Sequence, residues 1–240
     1  MIDTIRSEFR KLATVRSTYI LAGFCLVVTI FFAFYAEGLR SPAVVGDSGK
    51  LASEITNAAQ ALGRFIAIAG VLLVAHEYRY NTIMYTLTAA RRRGSVLLAK
   101  ILAISTFSVL LTLLVCLLAP FLTKLGMSIH GVDVVPQTVP FMDLLPKVVY
   151  YGWAYSMIAM IITTIVRSQV AAFVIYLMFP IVEQLLSLLL KTNAKYLPYM
   201  TLEGTMSASG NYSNASWVLL AYIIGGWLAA YILFTRRDAN

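Results

Sequence analysis

Few residues in this chain are suited to chemistry, and their spacing excludes most of it. Gly46-Asp47-Ser48-Gly49-Lys50 sets a lysine after two glycines. A phosphate-cradling loop needs four residues between its glycines and a Ser or Thr after the lysine. Here two residues intervene and Leu51 follows, so the segment reads as a turn. His76-Glu77 opens like the helical motif of a zinc protease, but Tyr80 stands where the second histidine must be. The other histidine, His130, falls in a different connection, and no metal site is expected. Cys25 and Cys116 sit in apolar runs and read as small buried hydrophobes. No nucleophile elbow, paired carboxylate or Cys/His constellation is present, so the chain is not expected to be an enzyme by itself.

The elements that must carry these residues are set by composition. Apolar residues make up 60% of the 240 positions, charged residues only 12%, and mean hydropathy is +0.79. A water-soluble domain of this length is nearer half apolar and a quarter charged. Uncharged or nearly uncharged runs recur at the ~20-residue length that crosses a bilayer. They predict an all-α polytopic membrane protein, one transmembrane domain over 1–240, with spans near 17–36, 55–76, 99–121, 148–166, 169–190 and 217–234. Each run must be helical, because lipid offers no partner to a bare peptide group. The prolines at 136, 140 and 146 argue against a long helix through 124–147. The apolar part of 191–216 is expected to dip into the outer leaflet as a short helix.

Six spans leave both termini on one side. That side collects Arg91, Arg92, Arg93, Lys100, Arg167 and the arginines near both ends, so the whole net charge of +8 lies there. Excess Lys and Arg mark the cytoplasmic face. The charge is thereby a matter of topology, and nucleic acid is not an expected partner. Ile2, Ile5, Phe9 and Leu12 fall on one helical face of residues 1–15, with Arg6, Arg10 and Lys11 on others. This predicts an amphipathic helix in the cytoplasmic interface, touching membrane lipid, either a topological anchor or a docking surface for a cytoplasmic partner, with Arg6, Phe9 and Arg10 as its candidate residues.

The second cytoplasmic connection carries the functional reading. It runs from His76 through Tyr78, Tyr80, Asn81, Thr82 and Tyr85 to Arg91, Arg92 and Arg93, and enters the third span by Lys100. Glu77, Thr82, Leu87, Arg91 and Lys100 match a pattern that resembles the loop after the second helix in type-2 ATP-binding-cassette exporter permeases. The stretch Ser7-Glu8-Phe9-Arg10-Lys11 resembles that family's interfacial helix. Asn81 departs from it, where many members carry glycine.

The resemblance implies an exporter subunit in a bacterial plasma membrane, working as two permeases, identical or not, with two cytoplasmic ATPase subunits. ATP and Mg would sit on those partners, and this chain would bind no cofactor. A short helix with Glu77 near its start and Arg91 and Arg92 near its end would suit both ends of the helix dipole. Tyr80 and Tyr85 would give the amphipathic contacts favoured at interfaces. Glu77, Tyr80, Asn81, Thr82, Tyr85, Arg91 and Arg92 are accordingly the expected ATPase-coupling residues.

Arg64 and Glu183 are the charges within spans. Arg64 lies about 20 Å outward of Glu77 at 1.5 Å per residue, and Glu183 reaches a similar depth. They either snorkel outward, pair with one another, or line the outer end of the path. The resemblance turns the second and fifth spans to the central path, with Phe65, Tyr176 and Phe179 as lining candidates for an apolar or amphiphilic cargo. The rival reading is an ATP-independent carrier or channel.

Overall fold

The structure is a computed structural model that describes residues 2–31, 48–80, 82–85, 93–129, 141–206 and 212–236. Among these residues all regular structure is helical. Helix α1 covers Ile2–Thr14 and α2 covers Arg16–Ile30. Then come α3, Ser48–Arg79, and α4, Arg93–Ile129. They are followed by α5, Phe141–Val166, and α6, Gln169–Leu190. A 3-10 turn at Lys191–Tyr196 leads to the short α7, Pro198–Gly204, and α8 is Tyr212–Arg236.

By length and composition, Gly94–Leu118, Asp143–Val166, Gln169–Tyr196 and Ser213–Arg236 are apolar enough to cross a membrane. Asp3–Thr14 and Arg16–Ile30, bent by 60°, make a fifth if taken as one broken span. The described residues therefore hold four or five of the six expected spans. The α3 helix covers the expected second span but carries Arg64 in its middle and Glu77 and Arg79 at its end.

Two expectations about breaks are corrected. Helix α4 continues to Ile129, and α5 begins at Phe141 with Pro146 inside it. Pro146 lies in the second turn, past the N–H groups that have no helical partner, so it removes one i→i−4 bond close to the start of the helix without ending it. The residues expected to form an outer connection before the second span are helical from Ser48.

Helix α5 is the axis of the bundle: 72% of its apolar window is buried, against 11% for α6. Small residues allow its closest partner, α3, to approach. A Cβ added at Gly70 would lie 2.5 Å from the Ser156 carbonyl oxygen, and one at Gly63 would lie 2.6 Å from the Tyr151 ring. Ala67, Ala154 and Ala159 are buried along the same seam. Without hydrophobic drive between helices in lipid, such close backbone contact is a main source of cohesion. Trp153 Nε1 adds a bond to Ser105 Oγ at 3.0 Å, tying α5 to α4.

The expected short outer helix is present. Thr201, Leu202, Thr205 and Met206, in and just after α7, are buried. Arg167-Ser168 is the tight link between α5 and α6.

Candidate functional site

The stripe of α1 that meets the bundle includes an acid. Glu8 lies between Ile5 and Leu12 on the inward edge of the helix and is fully buried. Its Oε1 accepts from Lys11 Nζ at 2.6 Å and its Oε2 from Lys100 Nζ at 2.8 Å. Glu77, in the last turn of α3, accepts on Oε1 from both Lys100 at 2.7 Å and Lys11 at 2.5 Å. Two lysines and two glutamates close a neutral ring that links α1, α3 and α4. Lys100 Nζ is held deep in the protein, its side chain 1% exposed.

Burying one such charge unpaired costs several kcal/mol. Pairing every member, with charge-assisted bonds, removes that penalty. Burial by itself would lower the Lys11 pKa, but the charges and hydrogen bonds of Glu77 and Glu8 outweigh it and raise the pKa above the usual lysine value. Burial pushes Glu77 up, but Lys100 and Lys11 outweigh it and hold the carboxyl below its usual range. Both groups are ionised at neutral pH.

Glu77 was expected to open a separate short helix. It instead sits inside α3 and faces α1 and α4, because its carboxylate has two buried ammonium partners there and the next residues remain helical to Arg79. The chain then turns sharply: Tyr80 N–H bonds the His76 carbonyl at 3.0 Å and Thr82 N–H the Glu77 carbonyl at 2.9 Å. Ile83 plugs this turn into a cluster with Leu97 of α4 and Phe234 of α8. Tyr80 and Tyr85 are left 63% and 77% exposed. Residues 83–85 are again helical, and Tyr80 and Tyr85 present two exposed aromatic rings beside the ion ring. Asn81, Arg91 and Arg92 lie outside the described residues.

A cavity of about 360 Å³ opens beside the ring, between the α1–α2 elbow and α3. Lys11, His76, Glu77, Tyr80 and Thr82 form its polar side, and Val15, Leu21, Ala69 and Leu72 its apolar side. Among the described residues Glu77 Oε2 is buried without a hydrogen-bond partner. Arg6, Phe9 and Arg10 stand on the opposite, exposed face of α1.

The chain matches the model of a known family, the ABC-2 family transporter proteins, over residues 4–183. The chain belongs to the ABC-2 transporter family. No curated protein matches it. Membership makes it the membrane permease part of an ABC transporter, a multi-pass protein that works with an ABC ATPase subunit.

The outer charges of this ABC-2 protein are arranged differently from expectation. Arg64 and Glu183 do not pair. Arg64 donates to Tyr199 Oη at 2.8 Å and Glu203 Oε1 at 3.3 Å. Glu183 Oε2 instead accepts from the backbone N–H groups of Tyr199 at 2.8 Å and Met200 at 3.2 Å. These are unsatisfied donors of the first turn of α7, which has no side-chain cap of its own. A carboxylate there also suits the helix dipole. Both charges therefore converge on α7. Tyr151 Oη adds a 2.9 Å bond to Glu203.

The lining candidates do not share one surface within the chain. Tyr176 is buried, donates to the Arg64 carbonyl at 2.5 Å and packs on Tyr155 with centroids 5.5 Å apart. Phe65 turns the other way and meets Phe24 of α2 edge-on at 5.1 Å. Phe179 is half-buried on α6.

Glu8, Lys11 and Lys100 entered the sequence reasoning only as part of the family pattern, and their pairing with Glu77 was missed. A signal for Glu8 existed: an acid at the margin of the apolar stripe of an amphipathic helix, one turn before a lysine. Glu203 and Tyr199 had none, since they lie in an outer segment of no regular pattern.

Proposed function

We propose that this chain is the six-span permease of an ABC exporter, with both termini in the cytoplasm of a bacterial cell and 1–240 acting as one transmembrane unit. A second permease, identical or not, completes the path. ATP with Mg is hydrolysed on the separate ATPase subunit, and the cargo is hydrophobic or amphiphilic: lipid-like, peptide or drug-like.

The observation that carries this reading is the buried Glu8–Lys11–Glu77–Lys100 ring beneath an exposed aromatic turn. Force applied at Tyr80 and Tyr85, or at Arg6, Phe9 and Arg10 on α1, passes into α3 and α4 through short, desolvated ionic bonds. Such bonds cannot lengthen without exposing a buried charge. A turn anchored by Ile83 moves with its helices rather than bending. Thr82 holds the turn, and Asn81, Arg91 and Arg92 complete the coupling segment. On the cargo side, Arg64 and Glu183 act through α7 at the outer end of the path, with Phe65, Tyr176 and Phe179 flanking it.

The test is reconstitution of the chain with its ABC ATPase subunit. Combined Tyr80→Ala and Tyr85→Ala substitution alters exposed groups and should leave membrane insertion and assembly of the fold intact. Cargo-stimulated ATP hydrolysis should fall at least several-fold. Unchanged stimulation would overturn the coupling role. Full transport by the purified chain in liposomes without nucleotide would establish the ATP-independent carrier instead.

A further inference from the structure

The two-residue link between α5 and α6 holds a feature that coupling leaves unused. Arg167 has φ 57°, the left-handed region where a helix terminus usually places Gly or Asn. It is held there by its N–H on the Thr163 carbonyl at 2.9 Å and its guanidinium on the Leu233 carbonyl at 3.2 Å. An arginine kept where the backbone favours glycine points to a use for the side chain. Arg79, at the end of α3, reaches the same place: it donates to Gln169 Oε1 at 3.4 Å and lies 5.5 Å over the Tyr80 ring.

These two arginines and Ser168 form the polar end of a groove of about 640 Å³ whose lining contains no acidic residue. Its apolar wall runs along α6 through Val170, Val174 and Leu177, which are 74%, 54% and 56% exposed. Depth follows from the chain itself. Val166 ends one membrane-length apolar stretch and Gln169 begins the next. Arg167 therefore sits at the edge of the hydrocarbon whichever way the chain is oriented. From Val170 to Leu177 the wall runs about 10 Å inward.

We propose that this groove binds an anionic glycerophospholipid, its phosphate between Arg79 and Arg167 and one acyl chain along Val170, Val174 and Leu177. Guanidinium groups bind phosphate oxygens in pairs of parallel bonds. An acidic soluble protein would match the charge but could not reach an apolar wall at hydrocarbon depth. The inference rests on α5 and α6 crossing a membrane and not on the coupling reading.

The test uses the full chain in nanodiscs of equal phosphatidylglycerol and phosphatidylcholine, released into native mass spectrometry to count retained lipid. The wild type should retain phosphatidylglycerol over phosphatidylcholine. Arg79→Gln should lower that retention about fivefold, as expected for one arginine near an anionic surface. Arg167→Gly should do the same, in a backbone that glycine suits. Val174→Trp, which fills the groove and keeps both arginines, should also lower it, and Arg16→Gln at the exposed start of α2 should not. Equal retention of the two lipids, or an equal loss in Arg16→Gln, would overturn the proposal. So would variants that keep the lipid but lose capture of the ATPase subunit, since the face would then be a protein contact. Hydrolysis is not read in this assay, so its failure leaves the coupling question separate.

Discussion

The protein has two charged clusters, and they are built on opposite plans. At the inner end, Glu8, Lys11, Glu77 and Lys100 balance two positive and two negative groups in a nearly dry ring between three helices. At the outer end, Arg64 shares one acid, Glu203, with Tyr151 and Tyr199, and its side chain is 49% exposed. The remaining outer acid, Glu183, is spent on the backbone of α7. Each charged group of the ring has an opposite charge within hydrogen-bond distance, and that pairing fixes the geometry. Charge that keeps contact with solvent needs no such match and leaves its element freer to move.

The comparison breaks most sharply at Lys100. Lys100→Met leaves two buried carboxylates with one ammonium and should cost about 3–5 kcal/mol, read by denaturant unfolding in detergent. A cost below about 1 kcal/mol would mean that the ring is not rigid in the sense argued.

Next is the seam that joins the two ends. Gly70→Ala forces a Cβ against the Ser156 carbonyl and should cost about 1–3 kcal/mol. Gly225→Ala, where nothing lies within 4 Å, should be neutral or stabilising by up to about 1 kcal/mol. Equal effects at both positions would remove the close α3–α5 contact from the account.

Acid and base sharpen the same contrast. The lowered Glu77 pKa means its contribution is complete above 4.5, its ordinary value, and is lost as pH falls through the folded value. The raised Lys11 pKa means its contribution is complete below 10.5 and is lost as pH rises through the folded value. A melting-temperature scan should show a plateau between these limits, with the acid limb flattened in Glu77→Gln. An unchanged acid limb would place the titration elsewhere. The smallest effect is expected outside: Glu203→Gln should change stability by no more than about 1 kcal/mol, since its cation is half in solvent. A loss as large as that of Lys100→Met would erase the distinction between the two ends.

Much of the architecture was legible in the residues. Apolar runs of membrane length marked α4, α5, α6 and α8, because backbone in lipid leaves few alternatives to a helix. Ile5, Phe9 and Leu12 marked α1 as amphipathic. Helix α3 was legible as a run but longer than read, since its first turns are too polar to stand out by hydropathy. Pro146 was read with Pro136 and Pro140 as a bar to helix, yet α5 runs through it, the lost bond lying close to the helix start. Within the site, Glu77 was found from its place in the family pattern. Its partners were not, because Lys11 and Lys100 are separated from it by 66 and 23 positions and no local pattern connects them.

What the amino-acid sequence determined by itself is the solvent: its apolar content commits the chain to lipid. Only the tertiary structure decided which charges meet. It set Glu8 against Lys100, turned Arg64 away from Glu183 towards Glu203, and spent Glu183 on the first turn of α7. The reason is physical. Helix formation and membrane insertion are governed by residues close in the chain, whereas a buried charge is satisfied by whichever partner the packing of distant helices brings within hydrogen-bond reach.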